Sequence, residues 1–393
     1  MKSSPVLATL ACVAATMLVA CSGADDPPSA TDVSVGSVRL IGQQVLPRRS
    51  DYAGTVVGGL SGIDYDEKTR TFVLVSDDRT TTDSPNAPRM YTARLTYDLN
   101  AFSAVTFEST FTMKQPDGAV YPKVPDPKVA DPESVRYDRV SGNLVWTSEG
   151  DRTLAAGTTA ERIIDPFVRE IRPDGTHVRE YTLPSTFRMS NGNTGPRGNL
   201  AFEGLTFTPS NTRAVVIAEG PRFDDGDTPT TAAGAVSRIT VFDRASGTPI
   251  SQFAYAIERV QAAAVPTGSF TVNGPTEILA LSETRFLVLE RSFSVGVVGN
   301  QVRLYEIDIS AATNVLNTAS LRTASYVPVT KRLVLNFETL KPTVTGIANL
   351  EAMTFGPRLP NGRLSLVVVA DDNFPTADSV TDFNQFLVFE VVP

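Results

Sequence analysis

A chain of 393 residues with 43 acidic against 35 basic side chains, a net charge of −8, is a poor partner for nucleic acid and a good one for cations. Its two cysteines, Cys12 and Cys21, both fall near the start, so the body has no thiol for a disulfide, a thiolate nucleophile or a zinc–cysteine site. The length is ample for a large core, and stability must come from packing.

The chain begins MKSSPVLATLACVAATMLVAC. One lysine precedes an apolar stretch from Val6 to Ala20, shorter than the roughly 20 residues that cross a bilayer, and residues 1–20 read as an export signal. Leu18, Val19, Ala20 and Cys21 resemble the lipobox of bacterial lipoproteins, in which the cysteine is diacylated and becomes the new N-terminus. Ser22 follows, so no aspartate retention signal is seen, and the expectation is a monomer lipidated at Cys21 and held at the outer membrane facing the periplasm. An ordinary secretory signal is the other reading. Residues 21–33 include SGADDPPSAT, which lacks apolar content and reads as a flexible tether; residues 34–393 form the folded domain. No later run is apolar enough to span a membrane, so contact with one is expected only through the lipid.

From there, apolar runs rich in Val, Leu, Phe, Tyr and Thr recur between Gly, Pro, Asp and Asn, with no sustained helical period, which predicts an all-β protein. One pattern returns: LSGIDYDEKTRTFVLVSDDR from Leu60, PESVRYDRVSGNLVWTSEGDR from Pro132, FEGLTFTPSNTRAVVIAEGPR from Phe202, PTEILALSETRFLVLER from Pro275 and LEAMTFGPRLPNGRLSLVVVADDN from Leu350. Ser61, Glu133, Glu203, Glu277 and Glu351 mark equivalent positions, spaced 72, 70, 74 and 74 residues apart. Further strand-like runs complete four strands per unit, the pattern of a β-propeller. The fifth unit ends after its third strand, NQFLVFEVV, while SVGSVRLIGQQVLP at the N-terminus has no unit of its own. Residues 34–47 are therefore expected to close the last of five blades; six is the alternative if Thr106 to Asp131 hides another.

These segments, over residues 60–80, 131–152, 200–222, 275–294 and 350–374, resemble the phytase-like family of bacterial exported proteins, described as having esterase-like activity. The resemblance implies a propeller and suggests phosphoester chemistry. Two positions depart from the pattern: Ser61 stands where the other units carry an acid, and Asn373 where they carry arginine.

If the first strand of each blade is innermost and the second runs antiparallel beside it, the start of one and the end of the other share one face. Glu133 then neighbours Glu149, Glu203 neighbours Glu219, Glu277 neighbours Glu290, Glu351 neighbours Asp371, and Ser61 neighbours Asp77. With Asp78, Asp151 and Asp372 this makes twelve carboxylates around one opening, faced by Arg79, Arg152, Arg222 and Arg291. Two like charges 4 Å apart cost about 1 kcal/mol in water and roughly 4 kcal/mol at an effective dielectric of 20. Protonation, backbone N–H bonds or Ca²⁺, which takes six to eight oxygen ligands, would each relieve the repulsion. A purely structural use also stays open, with each acid bonding the amides of the next blade.

On the calcium reading, Glu133, Glu203, Glu277, Glu351, Asp77 and Asp371 hold the metal, Arg79, Arg152, Arg222 and Arg291 bind phosphate oxygens, and Glu149 or Glu219 acts as general base. The expected activity is calcium-dependent hydrolysis of a small phosphorylated substrate; a non-catalytic propeller binding a ligand or protein at the same face is the alternative. FDDGD, Phe223 to Asp227, is a second calcium candidate or a solvated turn. His177, the single histidine, reads as a solvated turn residue, and Trp146 as core. No Ser-His triad, phosphohistidine route, GxSxG elbow or Walker loop can be assembled.

Overall fold

The computed structural model describes Met1 and residues 32–81 and 86–393. The export signal, Cys21 and almost all of the expected tether lie outside those residues.

Five four-stranded antiparallel sheets form five blades. Blade I comprises Leu60–Asp66, Thr71–Ser76, Arg89–Tyr97 and Phe102–Thr112; blade II comprises Pro132–Tyr137, Leu144–Ser148, Phe167–Ile171 and His177–Glu180. Blade III comprises Phe202–Phe207, Arg213–Ala218, Ala235–Asp243 and Pro249–Ile257; blade IV comprises Thr271–Ala280, Arg285–Ser294, Gln301–Asp308 and Thr330–Asn336. Blade V is built from Asn349–Phe355, Ser365–Asp371 and Gln385–Val392, with Ser37–Val45 as its outer strand, paired from Ser37↔Val392 to Val45↔Gln385. The first strand of each blade touches the first strand of the next, and Asn349–Phe355 returns to Leu60–Asp66, so the ring is closed. Between Thr112 and Asp131 there is only one isolated bridge, Lys114↔Val120, and no sixth blade. Among the described residues there is no α-helix, only two short 3₁₀ turns.

Burial follows the radial order. The inner strands are buried on both faces, because each face packs on a neighbouring blade, whereas an outer strand such as Thr330–Asn336 is half exposed. Leu287, Leu289 and Leu304 of blade IV pack on Met353, Val368 and Leu387 of blade V, and comparable clusters fill the other gaps. Trp146 is fully buried, edge-on to Tyr121 and Phe167. His177 opens a strand and is half-buried, so the solvated turn expected for it is corrected.

Each inner strand carries one extra residue near its start. In blades I, IV and V the pairing skips Ser61, Thr276 and Glu351, and in blades II and III Glu133 with Ser134 and Glu203 with Gly204 stand opposite one partner residue, so a β-bulge is repeated five times. The residue that follows Ser61, Glu133, Glu203 and Glu351 is small in each case: Gly62, Ser134, Gly204 and Ala352. Close approach at the axis requires this, since a Cβ on Gly204 would lie 2.5 Å from the Ile278 nitrogen.

Candidate active site: an acid cup at the channel mouth

A bulge breaks the strict alternation of a strand and re-aims the extra side chain. Glu133, Glu203 and Glu351 thereby reach a cavity of about 520 Å³, where they meet Asp77, Glu149, Glu219 and Asp371 from the ends of the second strands. The expected pairs Glu133–Glu149, Glu203–Glu219 and Glu351–Asp371 are all brought there. So is Asp131, which the repeat alignment missed because it lies just upstream of PESVRY; its backbone carbonyl accepts the Glu149 N–H at 3.0 Å. Asp382 completes nine carboxylates.

Only two arginines share this cavity. Arg79 Nη1 lies 2.7 Å from Asp131, and Arg291 Nη2 lies 2.9 Å from Glu351 and 3.3 Å from Glu219. Burial pushes Glu133, Glu149, Glu203, Asp77 and Asp371 well above the usual carboxylate range. The Glu203 charge adds to the effect on Glu133, and the Glu149 charge to that on Glu203. Burial also lifts Asp131 to about 6 against the pull of Arg79, and Glu219 to about 7 against that of Arg291. Both arginines are held more firmly protonated by the carboxylates around them.

Carboxylate oxygens of Asp131, Glu133 and Glu149 lie within 4.8 Å of one another, as do those of Glu149, Glu203 and Glu219, so Glu149 belongs to both groups. Ligands on opposite sides of a calcium ion, each at roughly 2.3–2.6 Å, stand about 5 Å apart. The donors are all hard carboxylate oxygens, and buried Asp77 Oδ1 has no hydrogen-bond partner. The residues present therefore fit a hard divalent cation.

Several expected site residues are elsewhere. Glu277 is corrected: Pro275 pairs with Glu290 and Glu277 with Leu289, which puts Thr276 in the bulge and turns Glu277 into the channel axis. There it accepts from Ser134 Oγ, Leu205 N and Ile278 N and pairs with Arg136 Nη2 at 3.1 Å. Its expected neighbour Glu290 is bound by Lys331 at 2.7 Å and Tyr255 at 2.8 Å. Arg222 is also corrected. Its loop turns inward, and the buried guanidinium meets Asp225 at 3.1 Å and the carbonyls of Thr186 and Ala319. Asp225 is gripped by Arg238 through both oxygens at 2.8 Å, so FDDGD holds a buried structural ion pair in place of either a calcium loop or a solvated turn. Arg152 and Asp151 line an adjoining cavity. Asp372 bonds the backbone of Gly59 and Phe374, and Asp78 that of Thr80 and Asn86.

Among solved structures, the chain is similar to endo-arabinase from Bacteroides thetaiotaomicron VPI-5482, at 11% identity over 86% of this chain and 95% of that one, with a TM-score of 0.41. It is also similar to the catalytic domain of an α-L-arabinofuranosidase from Coprinopsis cinerea (10% identity, 91% and 98% covered, TM-score 0.43) and to the periplasmic gluconolactonase of Pseudomonas aeruginosa (12% identity, 86% and 90% covered, TM-score 0.35). No match is found among curated proteins. The family description "Phytase-like: Esterase-like activity of phytase" matches residues 55–374, from the strand before blade I to the end of the acid motif of blade V. The chain belongs to this phytase-like family.

Proposed function

We propose that this protein is a calcium-dependent phosphoesterase, exported and tethered to the outer membrane through Cys21, that works as a monomer on a small phosphorylated substrate. The observation that carries the reading is the charge imbalance of the cup, nine carboxylates against two arginines in one cavity, with two three-carboxylate groups of a size suited to a hard cation. Asp77, Asp131, Glu133, Glu203, Glu351 and Asp371 are the ligand set. Bound calcium would supply the positive charge that polarises a phosphoryl oxygen. Arg79 and Arg291 offer N–H donors to the remaining phosphate oxygens, and each is held in place by a cup carboxylate. Glu149, shared by both groups, and Glu219, beside Arg291, would accept the proton of an attacking water.

The test is a calcium titration of the full chain followed by a screen of phosphoesters. At a hundred times its dissociation constant, calcium should stabilise the fold by about 2.7 kcal/mol over EDTA, and hydrolysis should appear only with calcium present. An unchanged melting temperature would remove the cation from the proposal. Calcium binding without turnover of any phosphoester would leave a ligand-binding propeller.

A further inference from the structure

Beside the acid cup lies a second cavity, of about 490 Å³, with the opposite charge. Arg79, Arg152, Arg162 and Arg197 line it against only Asp131 and Asp151. In a chain of net charge −8 this concentration of guanidinium groups is unexpected. Asp151 is committed to Arg162, whose Nε donates to it at 2.9 Å, and Asp131 to Arg79 at 2.7 Å. Arg152 and Arg197 have no carboxylate within ion-pair distance among the described residues. Arg152 donates to the carbonyls of Ser190 at 2.8 Å and Gly192 at 3.0 Å, and Arg197 to those of Pro221 at 3.1 Å and Gly226 at 2.7 Å. Both also lie over the ring of Phe223, 4.8 and 4.0 Å from its centroid. Carbonyls and an aromatic face fix their positions without neutralising their charge. Two such groups at one cavity are preorganised donors for an oxyanion.

We propose that this cavity is a phosphate-binding site, electrically linked to cation binding in the cup through the Arg79–Asp131 pair. The anion site stands on the arginines alone, whereas the linkage rests on the calcium reading given above. Arg79 and Asp131 line both cavities, and Asp131 belongs to a three-carboxylate group. A cation that draws on the Asp131 carboxylate weakens its hold on Arg79, whose N–H groups then turn to an anion on the other side. By linkage the effect is mutual: phosphate must tighten cation binding by the same factor.

The experiment is calorimetric titration of the full chain with inorganic phosphate, first in EDTA and then in calcium kept below the precipitation limit. Phosphate should bind in EDTA, and Arg197→Gln or Arg152→Gln should weaken it at least tenfold while leaving the calcium melting shift intact. Calcium should tighten phosphate binding by a factor within the usual coupling range of roughly 5–150. Asp131→Asn, which releases Arg79 permanently, should tighten phosphate in EDTA and abolish the response to calcium. No phosphate binding, or binding indifferent to both arginine changes, overturns the site. Equal affinity with and without a bound cation overturns the linkage. If calcium itself fails to shift the melting temperature, the functional proposal falls while the EDTA titration still judges the site. Glycerol 3-phosphate titrated in parallel separates the two sources of the dianion: equal binding assigns the cavity to an esterified phosphate, and binding of the free ion alone assigns it to released product.

Discussion

Glu277 and Glu203 are buried in the same channel, one at the axis and one at the mouth, and their surroundings differ in charge balance. Glu277 faces Arg136, whose Nη1 donates to the carbonyls of Ile63 and Val135 and whose Nη2 donates to those of Ile278 and Met353, so one guanidinium ties four blades together. Each Glu277 oxygen has a partner, and its pKa, lifted by burial, is pulled back by Arg136 to about 7. Around Glu203 the neighbours are Glu149, Glu219 and Glu351, and the cup as a whole carries far more acid than base. Burial alone therefore does not separate scaffold from site. Where buried charge is matched it fastens the ring; where it is left unmatched the fold bears a cost that a ligand can offset.

The largest expected effect comes from unbalancing the axis. Arg136→Met leaves Glu277 without its cation and should destabilise the protein by about 3–5 kcal/mol at pH 8, measured by denaturant unfolding in EDTA. A loss within 0.5 kcal/mol would mean that the axial pair does not hold the blades together. Glu203→Gln should act in the opposite sense. In EDTA at pH 8 it removes one member of a repelling set and should stabilise the fold by on the order of 1 kcal/mol, while reducing the stabilisation by calcium. Destabilisation by Glu203→Gln in EDTA would instead mark Glu203 as a structural bond, like Glu277.

The smallest effect is the dependence on pH. Carboxylates raised in the folded state bind protons more tightly there than in the unfolded chain, so the folded protein holds more protons between about 4.5 and 7. In EDTA, stability should therefore rise as pH falls from about 7 towards 4.5, by a few degrees in melting temperature. Saturating calcium should flatten the slope. A melting temperature that falls steadily over this interval in EDTA would show that the cup is already neutralised.

The repeat made the fold legible, because four strands per unit, an even spacing and an orphan N-terminal strand leave few ways to build a ring. The acids ending the second strands were legible for the same reason: Glu149 and Glu219 directly follow, and Asp371 ends, short runs buried almost throughout, and the recurrence of the motif marks where each strand stops. What the sequence hid was register. Thr276 and Glu277 are adjacent, and only the pairing of Pro275 with Glu290 shows which one is in the bulge. Arg222 and Arg79 both follow a second strand in matching motifs, yet one turns into a buried pair with Asp225 and the other faces the cup, a difference made by loop paths. Arg136 was invisible as an axial plug, since its carbonyl partners come from chain segments far apart in sequence.

The outer strand of blade V sets the order of events when the chain folds. Ser37–Val45 must wait for Gln385–Val392, and Arg39 reaches Glu390 across 351 residues of chain. Loop closure on this scale is entropically unfavourable and belongs to the slow, non-local class of contacts. Until it happens, Gln385–Val392 presents a bare sheet edge that any extended segment can pair with, including Ser37–Val45 of a second molecule. The seal that completes one ring is thus also the route by which two could exchange strands, and its speed relative to encounter decides between a closed monomer and a swapped dimer.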